Sequence, residues 1–466
     1  MGSTLFDKIW AQHVVAELPD GSSLLYIDRV LLHERTGSIA LKSLKASGRG
    51  VRAPRQAMAV LDHIVDTFPG RTDETLMPGG AAFIQETRSG ARDAGIEILD
   101  LHDPRQGIVH VVSPELGLTQ PGVTIVCPDS HTCTQGALGA LAWGIGSSDC
   151  EHALATQTLV VRKPKSMRVV FEGQLAPKVT AKDMILHLIA AHGAGGGAGY
   201  AIEFAGAAVE ALNLDARMTL CNMAVEFAAW TGLIAPDERV FEHLQGSPFG
   251  PAVSAWDAAL AYWRGLPSDP DARFDRQIRI DAGTIAPMVT WGTSPQHAIG
   301  LDRAVPDPAD ASDADKVAYE RALAYMDITP GKPLLGLPLD AAFIGSCTNS
   351  RISDLRAAAE VLRGRRVAPG LRAICVPGST QVKHQAEREG LDRVFVESGF
   401  EWREAGCSMC FFAGGEHFSR QARVISTTNR NFENRQGPGV RTHLASPTTV
   451  AASALTGRIA DARALK

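Results

Sequence analysis

Short apolar runs alternate with amphipathic stretches in the last third of the chain, and this alternation predicts the fold class. After Asp340 the pattern predicts, in order, strand 341–345, helix 352–364, strand 371–376, helix 380–389 and strand 393–396. Regular alternation of strands and helices is typical of an α/β fold with a parallel sheet. Ligands of such sheets bind at the carboxyl ends of the strands, so we expect functional residues just after these runs.

The N-terminal half shows the same kinds of pattern at less regular spacing. An amphipathic stretch predicts a short helix over 5–16. Thr180 and Asp183 have capping-box spacing and, with Gly193 as the stop, predict a helix over 180–192. Runs rich in branched residues and bounded by Gly or Pro predict strands at 23–27, 97–101, 107–112 and 123–127.

Two further stretches complete the outline. Residues 217–230 are predicted to be helical, with Asn222 and Glu226 four residues apart on one face. Apolar side chains crowd the same helix, so we expect the Glu226 carboxylate to have a partner. Residues 235–335 are rich in Pro, Asp and Ala and are predicted to connect two α/β units through helices and loops.

Composition limits the function classes. A chain of 466 residues with 45% hydrophobic and 21% charged residues is globular and suggests two to four domains. A net charge of -5 argues against nucleic-acid binding or an anionic membrane surface, but local arginines can still bind an anionic small-molecule substrate. No apolar run reaches the roughly 20 residues that span a bilayer. Few cysteines and no signal-like start indicate the cytoplasm.

Three cysteines stand at positions suited to a metal centre. Cys347 follows the apolar run 341–344, and Cys407 forms a C-x-x-C pair with Cys410. Iron–sulfur clusters normally take four thiolates, so three converging cysteines would leave one iron open to substrate. The alternative interpretation of the C-x-x-C pair is a redox pair or two ordinary buried cysteines.

Histidines and carboxylates recur beside the apolar runs. Asp62 and His63 end one run, Asp129 and His131 follow another, and His110 lies within a third. A histidine held by a carboxylate can transfer protons at neutral pH. The alternatives are a surface turn for Asp62–His63 and a satisfied core histidine for His110.

Two arginines lie in an Asn-rich loop beyond the cysteines. Arg430 and Arg435 are five residues apart in a stretch that ends at Gly437. Surface arginines are usually solvated, whereas arginines beside a metal centre can bind a carboxylate with two parallel hydrogen bonds.

Seven motifs, taken together and in order, resemble the aconitase superfamily, and within it most closely the large subunits of bacterial 3-isopropylmalate dehydratases. The resemblance runs from about residue 5 to residue 461. A single C-x-x-C is weak support, but an ordered set over almost the whole chain is specific. The motifs are CPDSHT, MTLCNMA, VTWGTSP, GSCTNSR, AGCSMC, TTNRNFENRQG and RTHLASP.

The resemblance implies a fold, a cofactor and a partner. The fold is an aconitase-like α/β core over 1–466, with three α/β/α subdomains at about 1–195, 196–335 and 336–466 around a central iron–sulfur site. Each subunit holds one 4Fe-4S cluster through Cys347, Cys407 and Cys410. A small subunit supplies the fourth, swivelling domain and completes a heterodimer.

The resemblance also implies roles for the other candidate residues. Asn222 and Asn429 lie near the cluster, and Arg430 and Arg435 hold the substrate or its activated water. The expected carboxylate–histidine pairs are Asp62 with His63, His110 with Glu226, and Asp129 with His131.

Three departures from the family pattern bear on the substrate. Thr134 stands where aconitase has Asn, which weakens one hydrogen bond to the cluster that the resemblance implies. The run from Phe411 to His417 differs from the Leu-Ala-Met-Asn type of the leucine-pathway subunits. The chain ends at Lys466, without the fourth domain that brings a serine base and a substrate-binding arginine in aconitase.

The activity implied is a hydro-lyase that isomerises 2-isopropylmalate to 3-isopropylmalate in leucine biosynthesis, with His63 as the donor of the proton to the leaving hydroxide. One alternative is the same chemistry on homocitrate, a dimethylmalate or citraconate. The other is an RNA-binding regulator that has lost its cluster, which intact cysteines and an acidic chain disfavour.

Overall fold

A computed structural model describes residues 2–412 and 415–465 and contains three parallel sheets, each flanked by helices. The N-terminal sheet has its first strand along the chain at its centre. Its strand order is Glu97–Leu99, Ala57–Val60, Arg29–His33, Thr124–Cys127 and Leu141–Gly144. The helices of this region are Leu5–His13, Gly37–Ala46, Gly80–Ala94, Val109–Glu115 and Ser147–Thr156.

The middle sheet also has only parallel pairings. Its strand order is Thr231–Leu233, Tyr200–Ala205, Lys165–Glu172 and Arg276–Asp281. Its helices are Ala181–His192, Ala207–Ala211, Leu214–Asn222, Glu238–Leu244 and Trp256–Arg264. The strand Lys165–Glu172 lies before the predicted subdomain boundary at 195, and residues 235–335 contribute a strand to this sheet rather than only helices and loops.

The C-terminal sheet has the predicted parallel arrangement. Its strand order is Phe400–Trp402, Arg372–Cys375, Ala341–Ile344, Arg423–Ser426 and Arg441–Leu444. Its helices are Asp313–Met326, Ile352–Leu362, Thr380–Arg388, Leu391–Ser398 and Pro447–Thr456.

Smaller elements join these three sheets. Val14–Glu17, Ser23–Tyr26 and Thr158–Val161 form an antiparallel sheet, and Met288–Thr290 pairs with Ala298–Gly300. Short 3-10 helices include Ser130–Leu138, Met223–Phe227 and Ser408–Cys410, each of which carries predicted site residues. Among the described residues, no helix is both long and apolar enough to cross a bilayer.

Two strand predictions were wrong. Residues 109–115 form a buried helix, and residues 391–398 form a helix between Gly390 and Gly399, both of which have left-handed backbone conformations. A run that is buried on all sides has the same apolar pattern in a helix as in a central strand. The Asp62 carboxylate accepts the Val109 N–H at 2.8 Å and so provides the first helix with a side-chain cap from another loop.

The core explains how the sheets share one site. One hydrophobic cluster runs through the N-terminal and middle sheets, and a second surrounds the C-terminal sheet. Ile108 and Val111, from the N-terminal region, belong to the second cluster. This packing joins the carboxyl ends of strands from the N-terminal and C-terminal sheets around one cavity.

Candidate active site

The three predicted cysteines line one cavity of about 290 Å³. Cys347 follows the strand Ala341–Ile344, in a loop where Ser346 has a left-handed backbone with φ of 76°. Cys407 and Cys410 follow the edge strand Phe400–Trp402 of the same sheet. All three cysteines are buried. The structure therefore brings the Cys347 thiol to the C-x-x-C pair that begins sixty residues later in the sequence.

The two thiols of the C-x-x-C pair, Cys407 and Cys410, have pKa values shifted in opposite directions. A hydrogen bond from the Cys407 thiol lowers the pKa of Cys410 to about 7. The same hydrogen bond, together with burial, raises the pKa of Cys407 well above its usual value. Burial raises the pKa of Cys347 to about 11. Cys410 is thus the most readily ionised of the three and the first that would act as a thiolate ligand.

Two asparagine amides are directed at Cys347. The Nδ2 of Asn222 lies 3.2 Å from its sulfur, and the Nδ2 of Asn429 lies 3.4 Å from it. Thr134, which replaces the asparagine of the family pattern, accepts a hydrogen bond from the Asn222 amide at 2.9 Å. In this chain Thr134 therefore orients Asn222 and does not contact a cysteine itself.

His63 is held between two carboxylates, and its pairing with Asp62 agrees with the prediction. Its Nδ1 lies 2.6 Å from Asp62 Oδ1, and its Nε2 lies 3.3 Å from Asp129 Oδ2. Burial opposes a charge on the ring, but the two carboxylates outweigh burial and raise the pKa of His63 well above its usual value. His63 is therefore protonated at neutral pH.

The predicted pair of His110 with Glu226 was wrong, whereas Asp129 and His131 do pair, with 3.6 Å between Asp129 Oδ1 and His131 Nδ1. His110 Nε2 lies 3.0 Å from Asp129 Oδ1, whereas His131 Nε2 lies 2.8 Å from Glu226 Oε1. The side chain of Asp129 accepts the backbone N–H of His131 at 2.8 Å, which caps the following turn. His110 projects from a helix rather than a strand, and that placement brings its ring to Asp129.

Asp129 is the centre of this network. Burial opposes its ionisation, but hydrogen bonds from His110, His131 and His63 lower the pKa of Asp129 well below its usual value. One carboxylate thus holds two imidazole rings and a third residue's backbone N–H, so that the relative positions of the three histidines are fixed.

The two predicted substrate arginines differ in their surroundings. Arg430 forms an ion pair with Glu226, with its Nε 2.7 Å from Glu226 Oε1. The Nε of Arg435 is buried and has no hydrogen-bond partner among the described residues. The Arg435 guanidinium lies against the rings of Phe411 and Phe432, at 5.5 and 5.1 Å from their centres. Arg435 is therefore the freer of the two to bind an anion.

Most of the predicted residues line the cavity, and the rest lie behind it. Asp62, Glu226 and Asn222 contact lining residues from outside. The lining residues predicted from the sequence are His63, His110, Asp129, His131, Cys347, Cys407, Cys410, Asn429, Arg430 and Arg435.

The sequence analysis missed Glu34, which holds the loop that carries His63. Its fully buried carboxylate accepts the backbone N–H groups of Asp62 at 3.1 Å and His63 at 2.8 Å, and also that of Ile64. Burial and the nearby Asp62 raise the pKa of Glu34 to about 7. Like Asp62–His63, Glu34 directly follows a buried parallel strand, which is the sequence signal that marks it.

His33 and Arg35, on either side of Glu34, were missed as well. The His33 ring stacks on His63 with 4.1 Å between ring centres. Burial and the neighbouring His63 lower the pKa of His33 to about 4, so it is a neutral partner for the protonated ring. Arg35 also lines the cavity.

The run that departs from the family pattern begins inside the cavity. Phe411 lines the cavity, with its ring centre 5.9 Å from that of His63. Ala413 and Gly414 of this run lie outside the described residues.

Residues 7–457 match the model of the aconitase family (aconitate hydratase). The chain is 53% identical, over its full length and 97% of the relative, to 3-isopropylmalate dehydratase large subunit 1 of Bradyrhizobium diazoefficiens. The crystal structure of aconitase X (holo-form) from Thermococcus kodakaraensis aligns with 88% of this chain and 84% of that chain, at a TM-score of 0.45 and 13% identity.

Proposed function

The chain belongs to the aconitase family of hydro-lyases, and we propose that it is the large subunit of an enzyme that converts 2-isopropylmalate into 3-isopropylmalate. The conversion removes water and adds it back at the adjacent carbon, and its product is a precursor in leucine biosynthesis. The observation that carries the proposal is the cavity itself, which is lined by three cysteines, three carboxylate-held histidines and three arginines.

Aconitase-family enzymes generally use an iron–sulfur cluster, and the residues present fit one of the 4Fe-4S type. Cys347, Cys407 and Cys410 would hold it, and no fourth cysteine lines the cavity among the described residues. The amides of Asn222 and Asn429 both point at the Cys347 sulfur, as suits donors to a ligated thiolate. When bound, the cluster supplies a Lewis acid at the iron that has no cysteine ligand.

His63 is placed to protonate the leaving hydroxide. Its ring reaches the cavity, Asp62 holds Nδ1 at 2.6 Å, and its raised pKa keeps a proton on the ring at neutral pH. A positioned acid of this kind contributes roughly 10²–10⁴-fold to a rate. Arg435 and the free donors of Arg430 bind one carboxylate group of the substrate and so orient the carbon that loses the hydroxyl.

The base that removes the C–H proton is assigned to a small partner subunit. Two serines line the cavity. The Ser346 hydroxyl is buried and has no hydrogen-bond partner within the described part of the chain, and the Ser130 hydroxyl lies 3.3 Å from Nδ1 of its neighbour His131. Ser346 has no base beside it among the described residues, whereas Ser130 lies beside His131, whose other ring nitrogen is held by Glu226 at 2.8 Å, so Ser130 is the candidate base on this chain that reconstitution must test. The partner is expected to close over the strand carboxyl ends where the cysteine loops emerge.

Reconstitution of the two subunits tests whether the small subunit supplies the base. The cluster-loaded chain is assayed with 2-isopropylmalate alone and again with a 3-isopropylmalate dehydratase small subunit, and activity is expected only in the mixture. Full activity of the isolated chain would place the base here, with Ser130 as its first candidate. If the mixture acts on homocitrate, a dimethylmalate or citraconate but not on 2-isopropylmalate, the protein is a hydro-lyase of the same mechanism with a different substrate.

A further inference from the structure

Arg35 is a cation at the edge of the cavity without a carboxylate partner. It lines the cavity and is solvent-exposed. Its guanidinium carbon lies 4.6 Å from the centre of the Phe411 ring. Within residues 2–412 and 415–465 its side chain has no hydrogen bond or ion pair. Stacking on an aromatic face leaves the edge donors of a guanidinium free to bind an anion.

Other arginines of the chain show that this arrangement is not general. Arg88 binds both Asp73 and Asp100, and Arg356 binds Glu389 with two hydrogen bonds. Arg35 lies directly after Glu34, whose carboxylate accepts hydrogen bonds from the backbone N–H groups of Asp62 and His63. Glu34, the acidic residue nearest to Arg35 in sequence, therefore binds the His63 loop and does not pair with Arg35.

Arg35 and Arg435 share the Phe411 ring. Their guanidinium carbons lie 4.6 and 5.5 Å from the same ring centre, so they are no more than about 10 Å apart. Arg435, like Arg35, has no carboxylate partner among the described residues, whereas Arg430 is bound to Glu226. Two unpaired cations packed against one neutral ring form a site for two anionic groups joined by a short linker.

We propose that Arg35 binds the second carboxylate of the substrate and makes this chain selective for malate-type dicarboxylates. In such acids the two carboxylate carbons are separated by three C–C bonds, and one carboxylate binds at Arg435 while the other binds at Arg35. Phe411 fixes the plane of the Arg35 guanidinium. The inference rests on the proposed function, and it assigns to the large subunit a contact to the carboxylate remote from the cysteines.

The test is a binding comparison with two ligands. Calorimetry on the cluster-loaded chain, with and without the small subunit, measures 2-isopropylmalate and the monocarboxylate 2-hydroxyisovalerate, which lacks the second carboxylate. Arg35→Gln is expected to weaken binding of the dicarboxylate by about tenfold to a hundredfold and to leave the monocarboxylate unchanged. Arg35→Lys is expected to recover part of the loss, because the charge remains.

The matched control is Arg92→Gln, at an exposed position on the helix Gly80–Ala94. Equal loss for both ligands would show a structural effect of Arg35 and overturn the inference, as would unchanged binding of the dicarboxylate. A wild-type protein that binds the dicarboxylate through Arg35 but does not dehydrate it would contradict the proposed function and leave the inference standing.

Discussion

The Nε of Arg430 lies 2.7 Å from Glu226 Oε1, and the same carboxylate oxygen lies 2.8 Å from Nε2 of His131. Glu226 is buried, and although burial opposes its ionisation, His131 and Arg430 lower its pKa. One carboxylate thus orients both a cavity histidine and a cavity arginine. Arg430 is held in place before substrate binds, and its Nε is not available to the substrate.

Substituting Glu226 should disturb both of its partners. Glu226→Gln keeps the shape of the side chain but removes the charge that holds His131 and Arg430. We expect a loss of kcat/KM of about 10²-fold or more, with the iron content and the cluster absorption unchanged. Steady-state kinetics and absorption spectra of the reconstituted complex provide the measurement.

Glu433→Gln is the control for this change. Glu433 also binds an arginine, Arg321, at 2.8 Å, but that arginine is exposed and lies away from the cavity. A surface pair of this kind contributes at most about 1 kcal/mol. Equal activity of Glu226→Gln and Glu433→Gln would contradict the role assigned to Glu226.

Replacing a cluster ligand should remove the iron. Cys347→Ser is expected to give colourless anaerobic protein with little bound iron, because serine is a poor substitute for a thiolate in an iron–sulfur site. Cys375→Ser is the control, since Cys375 is equally buried but lies in a strand and does not line the cavity. Iron analysis that finds full occupancy in Cys347→Ser would exclude this cysteine as a ligand.

The planar guanidinium of Arg435 should matter beyond its charge. Arg435→Lys retains a cation but loses the paired donors that fit a carboxylate, and loss of a charged hydrogen-bonding partner in a closed site costs about 2 to 5 kcal/mol. We expect a large loss of kcat/KM with an unaltered cluster spectrum. Arg356→Lys, in an exposed pair with Glu389, should behave as wild type. Normal turnover of Arg435→Lys would make Arg435 a structural residue.

His443 should make the fold sensitive to acid. Its Nδ1 lies 2.6 Å from the Thr290 carbonyl, and its Nε2 lies 3.2 Å from Nη1 of Arg423. Burial and the Arg423 guanidinium lower the pKa of His443 to about 3. Below about pH 6.5 the unfolded chain binds a proton here that the folded chain does not, so stability falls as pH falls toward 3, by up to about 1.4 kcal/mol per pH unit.

Thermal unfolding of the cluster-free chain at pH 7.5 and pH 5 measures this effect. The wild type should lose more stability between the two pH values than His443→Gln does. His152→Gln, at an exposed position, should follow the wild type. An identical pH dependence for all three proteins would mean that His443 does not control the acid response.

Several features of this protein are determined by local sequence alone. The Thr180–Asp183 capping box forms as expected, with both the Thr180 N–H and hydroxyl within 2.8 Å of Asp183. The strand–helix alternation after Asp340 predicts the parallel sheet, and Cys347 follows its central strand. Capping and hydrophobic periodicity involve groups a few residues apart, so a short stretch of sequence is sufficient to specify them.

Tertiary structure alone decides which distant groups meet. Sequence order does not show that His110 lies against Asp129 or that His131 lies against Glu226, because each pair depends on how three chain segments pack. The same holds for the buried run at 109–115, which is a helix because Asp62, far away in sequence, accepts its first N–H. A buried carboxylate is stable only if hydrogen-bond donors surround it. Tertiary packing determines which side chains and backbone N–H groups are close enough to be those donors, so the fold fixes these long-range hydrogen bonds.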